Sequence, residues 1–433
     1  MASRLLVVSS AIGGAVIAGG AALYGVALLV ATPDSSRLYR TCILGDWPDE
    51  DDARQRSQAC SQALQTRRLR PDEVALARLT RGVARTMLGN IVGSNEDYLE
   101  ALKHYDGALD PAHPDALDLF RRAVTEQGLG QTDRALADYD EAVRRDPKNQ
   151  AVYLQRGVLL ATRARNFRRA IGDFNRTLEL EPRNFHALIA RGEAWSQLGE
   201  FGPALSDLDQ AIKLAPTHPH ALIVRGLIHA REGKPQLALQ DYDAALKLSE
   251  HEPYALMSRA ALSASDGKYV PAIADLDASL AINDTNALAY YNRGVAHFAM
   301  GDYKAAIADY DAALRLDADM GLAHLNRCLT RVLAGEAGRD GLAGCDAARK
   351  LMPLSLDVRE TRGFVLLKLG EPSKALAEYN TVLEIDANRA EALYGRALAE
   401  CRLARHNDCK KDKAAALALD PDVAQKFKRY AVD

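Results

Sequence analysis

One pattern constrains this chain more than any other: its residues repeat at a fixed spacing. Ala135, Ala170, Ala204, Ala238, Ala272, Ala306, Gly341, Ala375 and Cys409 follow one another every 34 residues, with two steps of 35. An aromatic residue or leucine stands four places after most of them, as Tyr139, Phe174, Leu208, Tyr242, Leu276, Tyr310 and Tyr379. A second small residue precedes each by about half a period: Ala123, Gly157, Gly192, Gly226, Ala260, Gly294, Gly363 and Ala397. Glycines such as Gly199, Gly233, Gly267, Gly301 and Gly370 fall between the two marks, where a helix needs a left-handed cap. Asp146-Pro147 and Asp420-Pro421 close units, because proline cannot continue a helix. The pattern predicts two antiparallel helices per unit, each unit burying its apolar face only against a neighbour.

The spacing and the marker residues resemble the tetratricopeptide-repeat (TPR) family. Tyr290, Gly294, Gly301, Tyr303, Ala306, Tyr310 and Ala313 fit that family's pattern within one unit. The resemblance implies an all-α superhelical solenoid of antiparallel helix pairs. Nine repeats are expected over 114–421. A divergent unit is expected over 71–113, carried by Arg81-Gly82, Tyr98, Ala101 and Tyr105. Residues 32–70 read as a linker and a degenerate first hairpin, and 422–433 as a capping helix. Composition agrees: aromatics are 6% of residues, and alanine carries much of the apolar fraction.

Ahead of the repeats, Leu5 to Ala31 has no charged residue. As a helix it would be about 40 Å long, enough for a ~30 Å hydrocarbon core. After a short tail at 1–4, residues 5–31 are therefore expected to form a transmembrane anchor rather than a cleaved signal peptide, whose apolar region is usually ~7–15 residues. Ser10, Gly14, Ala18 and Ala22 would make a small-residue stripe along it, a pattern that allows a homodimer.

The chain departs from the family pattern in two places together. Before the small first-helix residue stands an arginine: Arg122, Arg156, Arg191, Arg225, Arg259, Arg293, Arg327, Arg362 and Arg396. Before the second-helix aromatic stands an acid: Asp138, Asp173, Asp207, Asp241, Asp275, Asp309, Glu378 and Asp412. The two rows are expected to pair as a structural ladder, since a guanidinium fork suits a carboxylate. Gly344 interrupts the acidic row, leaving Arg327 free to meet a partner.

The six cysteines fall two to a hairpin: Cys42 with Cys60, Cys328 with Cys345, and Cys401 with Cys409. They form disulfides if their Cα atoms approach within about 7 Å; otherwise they are buried small apolar residues. Disulfides would place the solenoid in an oxidising compartment, expected here as the periplasmic side of a bacterial inner membrane, with a cytoplasm-facing orientation as the alternative.

No motif for nucleotide binding, nucleophilic catalysis or metal coordination is present, and no cofactor is expected. A net charge of −3 gives no footprint for nucleic acid. The TPR resemblance implies a groove lined by first helices, which would take a protein or peptide segment through Phe120, Leu154, Ile189, Ile223, Met257, Tyr291, Asn292, Asn326 and Arg327. Val124, Val158, Glu193, Leu227, Val295, Leu325 and Leu329 would line it too. In some such superhelices an asparagine at the position of Asn292 and Asn326 grips peptide backbone. The Lys/Asn/Arg set by which chaperone-binding relatives clamp a C-terminal carboxylate is missing. The expected function is a non-enzymatic, membrane-tethered scaffold for protein–protein interaction in envelope assembly or secretion. Alternatives are a cytosol-facing receptor or assembly co-factor, and a non-catalytic subunit of a membrane enzyme complex.

Overall fold

In the computed structural model, the structure describes residues 37–43, 50–66, 68–109, 114–336 and 342–428. Among them every regular element is an α-helix, and the fold is an all-α helical-repeat solenoid. The chain divides into two compact units at His251.

The first unit stacks six hairpins. Their helices are Arg37–Ile43 and Glu50–Gln65, Pro71–Met87 and Ile91–Ala108, Ala116–Gly128 and Thr132–Arg145, Gln150–Thr162 and Phe167–Leu180, Phe185–Gln197 and Phe201–Leu214, and Pro219–Arg231 and Pro235–Leu248. The second unit stacks five: Pro253–Ser265 and Tyr269–Ile282, Ala287–Met300 and Tyr303–Leu316, Gly321–Leu333 and Ala343–Leu351, Leu356–Lys368 and Pro372–Ile385, and Ala390–Arg402 and His406–Leu419. A last helix, Val423–Lys428, buries Val423 and Phe427, and the Phe427 ring lies 5.1 Å from that of Tyr394 and 5.6 Å from that of Phe364.

The small first-helix residue is a packing necessity. A Cβ on Gly157 would stand 2.6 Å from the Phe174 ring, and one on Gly294 would stand 2.7 Å from the Tyr310 ring. The second-helix aromatic thus lies directly on the first helix's backbone, as a key in a slot. Tyr139, Phe174, Tyr242, Tyr310 and Tyr379 are fully buried there. Gly301 then ends the helix Ala287–Met300 with a φ of 82°, a left-handed cap that costs glycine little.

The anchor expected at 5–31, its stripe Ser10, Gly14, Ala18 and Ala22, and the tail at 1–4 lie outside the described residues. Among the described residues, no helix is long and apolar enough to cross a membrane. The assignment as a single-pass membrane protein is therefore corrected. Even the longest described helix, Ile91–Ala108, carries Glu96, Asp97, Glu100, Lys103 and Asp106, charges that a hydrocarbon core would not accept.

Candidate functional site

The arginine and acid rows meet inside nine of the hairpins, from Arg81–Asp97 to Arg396–Asp412, and not inside those of Cys42–Cys60 and Cys328–Cys345. Arg293 donates from Nε and Nη2 to Asp309 at 3.0 and 2.7 Å. Arg122 holds Asp138 in the same way at 2.6 and 2.8 Å, Arg191 holds Asp207 at 2.7 and 2.6 Å, and Arg225 holds Asp241 at 3.0 and 2.6 Å. Arg81 and Asp97 extend the row to the second hairpin at 2.8 and 2.6 Å. The inner carboxylates are buried, so each fork replaces the water its acid has lost. Arg225 and Arg293 are held well above the usual guanidinium range, first by these hydrogen bonds, which outweigh burial.

A second acid completes the arrangement, and the sequence reading missed it. The remaining Nη1 of Arg293 reaches back to Asp277 of the preceding hairpin at 2.6 Å. Arg156 reaches Asp140 at 2.7 Å, Arg225 reaches Asp209 at 2.7 Å, and Arg191 reaches the side-chain amide oxygen of Asn175, which stands in place of the acid, at 2.7 Å. Each arginine therefore ties three helices: its own, its hairpin partner and the second helix of the hairpin before. The signal was in the sequence, as acids flanking the aromatic or leucine on both sides: Asp138-Tyr139-Asp140, Asp207-Leu208-Asp209, Asp275-Leu276-Asp277 and Asp309-Tyr310-Asp311.

This second row corrects the reading of Arg327. It lacks an inner acid at Gly344, but its Nη1 donates to Asp311 at 2.6 Å. Arg331 holds the other oxygen of that carboxylate at 3.3 Å. Arg327 is a paired ladder residue rather than an arginine left over for a partner.

The other residues assigned to a binding groove lie in the packing between helices. Phe120, Leu154, Ile189, Ile223, Met257 and Tyr291 are all buried, as are Val124, Val158, Val295, Leu325 and Leu329, while Leu227 is half-buried. Glu193, buried beside a small apolar cavity, lies 3.2 Å from His220 Nε2. Nearby, burial lowers His186 to about 3 and His218 to about 4, so both rings are neutral near pH 7.

One polar row stands out in the second unit. Ser258, Asn292 and Asn326 occupy one position on three successive first helices, and all are buried. Asn326 Nδ2 donates to the Tyr291 hydroxyl at 3.2 Å. The Ser258 hydroxyl and both polar atoms of the Asn292 amide have no hydrogen-bond partner among the described residues. An unmet buried polar group costs about 1–3 kcal/mol, so such a row calls for an explanation.

The cysteines pair as spacing suggested. Cys42 and Cys60, Cys328 and Cys345, and Cys401 and Cys409 are joined, with Cα atoms 4.7, 5.5 and 5.3 Å apart.

Family comparison agrees with the geometry. Tetratricopeptide-repeat models match residues 287–320 and, in overlapping windows, 120–165, 158–219, 196–253 and 223–287. The chain thus carries tetratricopeptide repeats through its middle. Among curated proteins, none matches the sequence. Among solved structures, the chain resembles one in the Cut9–Hcn1 hetero-tetramer of the APC/C, with a TM-score of 0.51 and 15% identity over 88% of this chain and 90% of that one. A tetratricopeptide repeat protein from Parabacteroides merdae matches at TM-score 0.41 and 19% identity, over 66% of this chain and 98% of that one. YrrB, described as a TPR protein with an unusual peptide-binding site, matches at TM-score 0.33 and 20% identity, over 43% of this chain and 95% of that one. At these identities the likeness shows the fold alone.

Proposed function

We propose that this protein is a non-enzymatic scaffold whose second unit holds an extended segment of another protein. The supporting observation is the row of Ser258, Asn292 and Asn326. An extended segment presents a main-chain N–H and C=O at almost every residue. A primary amide both donates and accepts, so Asn292 can satisfy one such pair and be satisfied by it. Ser258 supplies a hydroxyl one hairpin earlier, and Asn326 an amide one hairpin later. Met257 and Tyr291, each adjacent in sequence to a member of the row, would supply apolar contact when the first helices part slightly to admit the segment. Recognition through main-chain groups would tolerate many side chains, which suits a scaffold. The ladder arginines, including Arg327, hold the hairpins in register and leave the first-helix face to the ligand.

The test selects peptides from a random library displayed on phage against the full chain, then measures their affinity for Asn292→Ala. A loss of tenfold or more is expected. Selected peptides that bind the variant unchanged would remove Asn292 from the site, and a library yielding no binder would count against the scaffold reading itself.

A further inference from the structure

Among the described residues, eight of the eleven hairpins lock their second helix with one large buried side chain. These are Tyr98, Tyr139, Phe174, Leu208, Tyr242, Leu276, Tyr310 and Tyr379. Among the described residues, three second helices have no such key. Glu50–Gln65 buries Ala53, Arg56, Ala59, Cys60 and Ala63; Ala343–Leu351 buries Gly344, Cys345 and Ala348; His406–Leu419 buries Cys409, Asp412 and Ala416. These are the same three helices that carry a disulfide to their hairpin partner.

The coincidence extends to the ladder in two of the three hairpins, while the Cys401–Cys409 hairpin keeps its rung, Arg396 donating to Asp412 at 2.5 Å. The Cys42–Cys60 hairpin has Thr41 and Ala59 at the positions of the arginine and the acid. The Cys328–Cys345 hairpin has Gly344 in place of the acid. A Cβ on Gly344 would stand 3.0 Å from the His324 carbonyl oxygen and 3.2 Å from Cys328 Cβ, so the close approach that admits the bridge leaves little room for a carboxylate. In the third case, Cys401–Cys409 spans a turn in which Ala404 adopts a φ of 59°, at the place where most hairpins use glycine and the unbridged hairpin of Gln150–Thr162 and Phe167–Leu180 uses Arg165 at a φ of 50°.

We infer that the three disulfides are redox latches: each replaces the missing packing key of its hairpin, so reduction releases these second helices while the keyed hairpins stay folded. Each opening is a balanced exchange with a dithiol. One thiolate of the dithiol attacks a bridge sulfur and expels the other cysteine, which takes up a proton. The second thiol then displaces the remaining cysteine and closes the reductant's own disulfide. Cys401 is half-buried whereas the other five cysteines are buried, so the Cys401–Cys409 latch opens first. The Cys328–Cys345 latch matters most to the stack. Its second helix, at nine residues, is the shortest of the second helices, and it lies between two keyed hairpins.

The test is amide hydrogen exchange on the full chain, oxidised and then reduced with a dithiol. Protection at 343–351 and 406–419 is expected to fall at least a hundredfold on reduction, while 303–316 changes less than threefold. A triple variant, Cys328→Gly, Gly344→Asp and Cys345→Tyr, restores slot, acid and key in the middle hairpin. Its 343–351 segment is expected to ignore the reductant. Equal protection of the oxidised and reduced wild type would overturn the inference, whether or not the variant folds. So would a folded variant whose 343–351 segment is unprotected in both states.

Discussion

Removing the Asp309 carboxylate tests the ladder at its best-defined rung. In Asp309→Ala, Arg293 loses three hydrogen bonds, one of them long at 3.3 Å, to a buried carboxylate that is 5% exposed. Breaking a buried ion pair typically costs about 3–5 kcal/mol, because the surviving charge is stranded. Here it is not fully stranded: the Arg293 side chain is 23% exposed and keeps Asp277 at 2.6 Å. The expected cost is therefore about 2–3 kcal/mol, or roughly 30- to 150-fold in a local opening equilibrium. Asp277→Ala removes the outer arm of the same arginine, whose carboxylate is 56% exposed. That change should cost less than about 1 kcal/mol. Amide exchange over 287–316 is the suitable assay, because a chain of two units need not unfold in one step. Double-mutant cycles with Arg293→Met separate the two arms. If Asp277→Ala proves as costly as Asp309→Ala, the inner pair is not what joins the helices, and the ladder account fails.

Further outcomes follow from the packing and the charges. Gly157→Ala should destabilise, since a clash with Phe174 of about 1–3 kcal/mol exceeds the ~1 kcal/mol gained in helix propensity. Gly172→Ala, where a Cβ meets nothing within 4 Å, should instead stabilise by about 0.5–1 kcal/mol. Thermal melts of the two variants that move in the same direction would refute the slot argument. Burial, followed by the charge of Asp138, raises Glu126 to about 7, and Arg134 only partly offsets them. The folded state thus holds a proton that the unfolded chain releases near pH 4–5. The resulting stability is fully present below that range and is lost as pH rises through about 7. Wild type should lose on the order of 1–2 kcal/mol relative to Glu126→Gln between pH 5 and 8, less than the full shift because Arg134 is half-exposed and can follow the charge. Urea midpoints that run parallel with pH would contradict this.

The repeat period, the small-residue slots and the inner Arg–Asp pairs were legible in the sequence because each recurs and each has a steric or electrostatic reason. The outer acids were present as Asp-x-Asp triplets, but their role depends on the stacking of one hairpin on the next, which a single unit's pattern does not reveal. Arg327 was misread for that reason: its missing partner at Gly344 is visible in its own hairpin, while Asp311 belongs to the previous one. The groove residues followed from family positions, yet neighbouring helices bury Phe120, Ile189 and Met257. Position on a helix face gives direction, and only the packed neighbours decide exposure. Cysteine pairing was legible from hairpin spacing, whereas its coincidence with helices lacking a buried key needed the burial pattern.

The central claim is that the first-helix row of the second unit receives an extended segment. A library-selected peptide carrying a photoreactive benzoyl-phenylalanine, bound to the full chain and irradiated, tests it most directly. The account predicts crosslinks on the helices Pro253–Ser265, Ala287–Met300 and Gly321–Leu333, lost in Asn292→Ala. Crosslinks confined to second helices or to the first unit, unchanged in that variant, would contradict it.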